Sequence, residues 1–125
     1  MRKIFITGIG TDVGKTIVSS VLVEALQADY WKPIQTGLEK DTVTVKRLVS
    51  NRKTKFHQES YWYKTPASPH YAAELESSKI SLKEIIVPKT NNTLIIEGAG
   101  GIMVPLNSED MTVDLVSKIE AEVVL

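Results

Sequence analysis

The chain has 125 residues, 42% of them hydrophobic and 24% charged, the make-up of one globular domain able to bury a core. Its 15 basic and 15 acidic residues cancel, so no broad field favours nucleic acid or an anionic membrane as partner, and any phosphate affinity has to be local. Cysteine is absent, which excludes disulfides, thiolate metal sites and cysteine nucleophiles, and fits a reducing compartment with the cytoplasm as the expected location.

Met1-Arg2-Lys3 is followed by the apolar run Ile4-Phe5-Ile6, which breaks at Thr7-Gly8, far short of a signal-peptide core. No stretch is long and apolar enough to be read as a bilayer span. Lys3 to Thr7 reads as a buried strand opening into a glycine-rich loop. From Thr16 to about Gln27, the residues Ile17, Val18, Val21, Leu22, Ala25 and Leu26 recur at spacings of three and four, the mark of an amphipathic helix. Tyr30 to Ile34 is expected as a second strand, with Pro33 at its terminus. Asp41 is placed to cap a helix ending near Asn51.

The polar, basic stretch from Asn51 to Gln58 reads as a solvated surface loop. Tyr61-Trp62-Tyr63 fits a short strand or an aromatic loop, and its rings are expected to pack rather than to stack a ligand. Tyr71 to Glu76 suggests a short helix, and Ser81 to Ile86 another, with Ser81 as cap and Glu84 at the capping-box position. Thr93 to Ile96 is a near-continuous apolar run of the kind buried on both faces of a parallel sheet. A helix over Thr112 to Ile119 and a buried strand over Glu122 to Leu125 complete the pattern. Strands alternating with helices predict an α/β fold, three layers with a mostly parallel sheet, and the last strand reads as one cut off in progress, so residues 1–125 are expected to be an incomplete C-terminally truncated domain.

Gly8-Ile9-Gly10-Thr11-Asp12-Val13-Gly14-Lys15-Thr16 lies between the first strand and first helix, where a P-loop must lie. Backbone NH groups of such a loop and the helix N-terminus cradle phosphate oxygens; Lys15 would reach the β and γ phosphates and the Thr16 hydroxyl would hold Mg2+. The generic pattern requires glycine where this chain has Ile9, so the match is off by one residue. An acidic partner for the metal is expected at the end of a neighbouring strand, and Glu97, opening Glu97-Gly98-Ala99-Gly100-Gly101, qualifies. Asp41 is a second candidate, compatible with its capping role. Lys32 sits at a strand end, where ligands of parallel sheets collect. His57 and His70 lack ligand-like spacing, which argues against zinc.

Taken together, these islands resemble the dethiobiotin synthase family, whose loop commonly reads Gly-Thr-Asp-Thr-acid-Val-Gly-Lys-Thr. The off-by-one loop is similar to that variant, with Thr11 and Asp12 in place and Ile9 and Gly10 departing from it. Lys32-Pro33-Ile34-Gln35-Thr36-Gly37, Asp41, Ser68-Pro69-His70 and Glu97 to Gly101 match further family motifs in the same order. The resemblance implies that Asp12, Val13, Gly14, Lys15, Thr16 and Ile17 surround ATP phosphates and that Gly98, Ala99 and Gly100 line the nucleotide site. It implies Thr16, Asp41 and Glu97 as Mg2+ ligands, directly or through water, Lys32 and Lys15 as catalytic lysines, and Thr11 and Thr36 at the substrate. The implied reaction joins 7,8-diaminononanoate and CO2 at the expense of ATP, in a homodimer whose partner subunit completes the diamine site. Other readings are a non-catalytic nucleotide-sensing domain of the same fold and a cobyrinate-amidating or partitioning-type ATPase; residues 8–13 carry no lysine of the kind partitioning proteins use early in the loop.

Overall fold

The computed structural model describes residues 1–9 and 14–125, so the expectations for Thr11, Asp12 and Val13 lie outside the described residues. The elements in chain order are β1 (Lys3–Ile6), α1 (Lys15–Leu26), β2 (Asp29–Trp31), β3 (Ile34–Thr36), α2 (Asp41–Leu48), β4 (Phe56–His57), β5 (Tyr61–Tyr63), α3 (Pro69–Leu75), β6 (Leu94–Glu97), α4 (Thr112–Ile119) and β7 (Glu122–Val124), with one 3-10 turn at Leu82–Glu84. A five-stranded sheet runs in the order β4-β2-β6-β1-β7, and every pairing in it is parallel. The continuous apolar runs of β1 and β6 form its centre because both of their faces are covered. Alternate side chains feed two cores. Phe5, Trp31, Leu94 and Ile96 pack with Ala72 and Ala73 of α3 and with Leu115, Val116 and Ile119 of α4. Ile4, Ile6, Tyr30 and Ile95 pack with Val23 of α1 and Val45 of α2. The three-layer α/β architecture predicted from the alternation of elements is therefore present.

Several local expectations are corrected. The apolar stripe that marks α1 as helical is only partly buried: Leu22 packs on the core beside Ser19, Ser20 and Val23, while Ile17, Val18, Val21 and Leu26 are exposed. Small hydroxyl residues make a thin contact face, and Ser20 satisfies its hydroxyl by donating to the Thr16 carbonyl at 2.8 Å. The expected strand Tyr30 to Ile34 divides at Pro33, which has no NH to continue the ladder. Beyond it, β3 leaves the main sheet and pairs in parallel with β5, and the Pro33 carbonyl accepts from Ser60 and Tyr61 NH groups at 2.8 and 3.0 Å. Tyr61 to Tyr63 is thus a strand, its two tyrosine rings stacked at 6.0 Å and packed on the core as expected.

The stretch from Asn51 to Gln58 is not wholly loop, because Phe56–His57 form β4 at the sheet edge. Ser81 to Ile86 yields only the 3-10 turn, and Ser81 makes no side-chain cap; its NH donates to the Tyr61 hydroxyl instead. Helix α3 begins earlier than Tyr71, at Pro69, whose fixed φ suits a first helical turn. Strand β7 pairs with β1 but is exposed rather than buried, with Val123 at 43% and Val124 at 38% exposure. Among the described residues no helix is long and apolar enough to cross a membrane.

At the amino ends of the strands, the buried Asp29 carboxylate is held by the His57 ring at 2.8 Å, the Thr90 hydroxyl at 2.8 Å, the Lys55 NH at 3.1 Å and the Asn92 amide at 3.1 Å. Burial works to raise this carboxyl, but the hydrogen bonds outweigh it and hold it below its ordinary value. A depressed carboxyl contributes stability above its unfolded value and loses it as pH falls through the folded one. Replacing Asp29→Ala should therefore cost about 1–3 kcal/mol at pH 7 by stranding several donors. Urea titrations repeated at acid pH should show that difference shrinking; a penalty independent of pH would contradict the assignment.

Candidate functional site

The carboxyl ends of β1, β2 and β6 open on one side of the sheet, the side where parallel α/β folds bind ligands. A cleft of about 430 Å3 lies there, lined by residues of the first turn of α1, by Lys32 and Thr36, by Asp41 and by the loop after β6. Gly14 begins that wall with φ +86°, a left-handed conformation that turns the chain into α1 and that a side chain would strain. Lys15 and Thr16 follow on the first helical turn.

Register does the rest of the positioning. Tyr30 pairs with Ile95 and Trp31 with Ile96, so continuing that alignment brings Lys32 beside Glu97. Lys32 Nζ stands 3.1 Å from Glu97 Oε2 and 2.7 Å from Asp41 Oδ2, and donates to the Gly98 carbonyl at 3.2 Å. The Thr16 hydroxyl donates to the same Glu97 Oε2 at 3.0 Å, and the Tyr30 hydroxyl donates to Oε1 at 2.9 Å. Lys32 is 4% exposed and Glu97 1%, so the ion pair is withdrawn from water. Gly98 must be small, since a Cβ there would lie 2.9 Å from Phe5 Cε1.

Burial pushes the Glu97 carboxyl above its ordinary range, with the Lys32 ammonium pulling the other way and the Asp41 charge adding to the rise. Asp41 is raised by burial too, yet the Lys32 ammonium more than offsets this and holds it low. Tyr30 is pushed far up by burial and by Glu97, so its phenol remains protonated and a donor.

Of the residues singled out from sequence, Gly14, Lys15, Thr16, Ile17, Lys32, Thr36, Asp41, Glu97, Ala99 and Gly100 line this one cleft, and Gly98 contributes its carbonyl. The expected cap at Asp41 is corrected: Lys40 holds the N-cap position, Asp41 is the first helical residue, and its carboxylate turns to Lys32. Asp41 is held there by its own NH, which donates to the buried Gln35 Oε1 at 2.8 Å. Gln35 and Tyr30 were not picked out as site residues in the sequence. The alternation of a strand was the available signal for Tyr30, because residues two apart share a face and Tyr30 precedes Lys32 by two. His57 binds Asp29 at the opposite end of the sheet, and His70 pairs with Glu74 at 3.1 Å.

Thr16, Asp41 and Glu97 present a hydroxyl and two carboxylates, the hard oxygen donors that suit Mg2+, and a lysine ammonium already rests between the carboxylates. The donor set fits that cation. A second cavity of about 510 Å3 adjoins through Thr36, Ala99 and Gly100, walled by Pro66, Ala67, Ser68, Pro69 and Val104.

Residues 2–125 match the family model described as an AAA domain. Among curated proteins, the chain is 54% identical over 119 residues to a protein of Christiangramia forsetii and 52% identical over 127 residues to one of Cytophaga hutchinsonii. These alignments cover 94% and 100% of this chain but 58% and 62% of the relatives. A Paramagnetospirillum magneticum protein is 42% identical over 127 residues, with 100% of this chain and 61% of that protein covered. All three are named ATP-dependent dethiobiotin synthetase BioD, which bears out the resemblance read from the motifs. The chain spans about three fifths of the length of these relatives.

Because Lys32 compensates two carboxylates, Lys32→Met should destabilise the fold by about 3–5 kcal/mol, as expected when one partner of a buried pair is removed. Adding Glu97→Gln should recover part of that loss. Denaturant unfolding of the two single variants and the double variant checks this, and strictly additive losses would show that the pair is not energetically coupled.

Proposed function

The chain belongs to the AAA-domain family, and from its cleft and the names of its relatives we propose that it forms the nucleotide-binding part of an ATP- and Mg2+-dependent cyclo-ligase that converts 7,8-diaminononanoate and CO2 to dethiobiotin, releasing ADP and phosphate. One observation carries the reading: Lys15, Thr16, Lys32, Asp41 and Glu97, scattered from position 15 to position 97, converge on a single cleft. The names borne by the relatives support it, as ATP-dependent dethiobiotin synthetases.

In this proposal one amine of the substrate captures CO2 as a carbamate, whose oxygen attacks the γ phosphate of ATP. The second amine then attacks the resulting carbamic-phosphoric anhydride, closes the ring and expels phosphate. Both amines belong to one molecule, so cyclisation needs no protein nucleophile, only positioning. The chain supplies charge where charge develops: Lys15 at the transferring phosphoryl group and Lys32 at the carbamate. Thr16, Asp41 and Glu97 would hold Mg2+, which when bound neutralises phosphate oxygens. Lys32, now 2.7 Å from Asp41 and 3.1 Å from Glu97, would share these carboxylates with the metal. Thr36 stands at the junction of the two cavities, and the walls formed by Pro66, Ala67, Pro69 and Val104 suit the aliphatic chain of the diamine. The exposed apolar face of α1, with Ile17 at 59% and Val21 at 61% exposure, supports the homodimer that the reading includes. A cytoplasmic place of work is also part of the proposal.

The test is dethiobiotin formation by the natural protein supplied with MgATP, bicarbonate and the diamine. Lys15→Ala and Lys32→Ala should each lower kcat at least hundredfold, on the scale of losing a preorganised electrostatic group. ATP hydrolysis that ignores the diamine and survives Lys32→Ala would instead favour a partitioning-type or cobyrinate-amidating ATPase, and nucleotide binding without turnover would favour a sensing domain.

A further inference from the structure

The proposed reading leaves Tyr30 without a role, although it touches the most buried carboxylate of the site. Its ring is fully buried between the sheet and the α1–α2 layer, packed on Phe56 at 6.2 Å, and its hydroxyl reaches Glu97 Oε1 at 2.9 Å. The two oxygens of Glu97 are thereby divided. Oε1 is turned inward to a phenol, and Oε2 is turned outward to the Thr16 hydroxyl and to Lys32 Nζ.

Resting on the assignment of Glu97 as a metal ligand, we propose that Tyr30 is a positioning residue for that ligand: its buried hydroxyl fixes the Glu97 carboxylate so that Oε2 faces Thr16 and the cleft. A glutamate side chain has three rotatable bonds, and a carboxylate at a strand end next to a lysine can rotate to give both oxygens to that lysine. The phenol removes this freedom. It approaches from the core side, opposite the cleft, so it holds one oxygen without blocking the other. Strand register places it there, since Tyr30 pairs with Ile95 and lies two residues before Lys32 on the same face. A ligand oriented by a partner behind it is the arrangement by which outer residues tune metal sites, where loss of the partner typically weakens metal affinity about 10–100-fold.

The opposing account is that Tyr30 is a core aromatic whose hydroxyl simply needs a hydrogen-bond acceptor. Tyr30→Phe keeps the ring and its packing and separates the two accounts. Binding of a fluorescent ATP analogue by the natural protein, titrated with Mg2+, should require about 10–100-fold more metal for half-saturation in Tyr30→Phe, while binding in EDTA is unchanged. Phe56→Leu disturbs the packing of the Tyr30 ring and spares the hydroxyl, so it should leave the Mg2+ midpoint where it is. A Tyr30→Phe protein with a wild-type Mg2+ midpoint, alongside a Glu97→Gln protein that has lost its Mg2+ response, would overturn the role of Tyr30 and leave the proposed function standing. An undiminished Mg2+ response in Glu97→Gln would overturn both.

Discussion

Lys32 Nζ gathers three oxygens from two separate parts of the fold: Asp41 from the first turn of α2, Glu97 from the end of β6 and the carbonyl of Gly98 just beyond it. A buried ion pair of this kind carries a desolvation cost close to its Coulombic gain, so stability alone does not account for it. Its effect is geometric. It fixes the first turn of α2 against the centre of the sheet and keeps two acidic groups together in an apolar setting where they would otherwise repel.

The parallel sheet makes such a cluster easy to assemble. All strands of the main sheet point their carboxyl ends the same way, so a lysine after one strand and a glutamate ending the next meet as soon as the register is set. Both faces of these strands are buried, with Ile4, Tyr30 and Ile95 on one and Phe5, Trp31 and Ile96 on the other, and the parallel ladder aligns Tyr30 with Ile95 and Trp31 with Ile96. Gly98 lets the loop after β6 pass over the Phe5 ring at a distance no side chain permits.

What was legible beforehand follows the strength of the local signal. The apolar runs of β1 and β6 and the glycine-rich segments after them could be read directly, and with them Thr16 and Glu97. Lys32 at a strand end reads by itself as an ordinary surface lysine, and its place in the site follows from the family resemblance of Lys32 to Gly37. The layout around Pro33 was not legible, because a missing NH reports that a ladder stops and not where the chain goes next. Strand β4 was hidden by composition: Phe56 and His57 are two residues inside a basic stretch, and their pairing with β2 is a long-range event. The capping pattern at Ser81 met the same fate, since three residues of 3-10 turn leave nothing for a cap to extend. On α1 the periodicity marks the helix, which is present, but not which apolar residues are covered, and Leu22 packs on the core while Ile17 and Val21 are exposed. Tyr30 meets Glu97, 67 residues further on, and only tertiary structure brings the two together, whereas Gln35 bonds the nearby Asp41 NH across the turn into α2, a contact that no motif marks.

Pro33 separates two ladders that then border the same cleft. The inner wall, from α1 through Glu97, rests on the large sheet, whereas Thr36 and the approach to Asp41 belong to the small one. No ladder hydrogen bond can be made by the nitrogen at that junction, so the two ladders are joined through side-chain packing, with Tyr63, Ala72 and Ala73 resting on Trp31 and Ile96. The cleft is thus a seam between two separately laddered sheets, and its width depends on how their side chains pack on one another and not on a continuous backbone ladder.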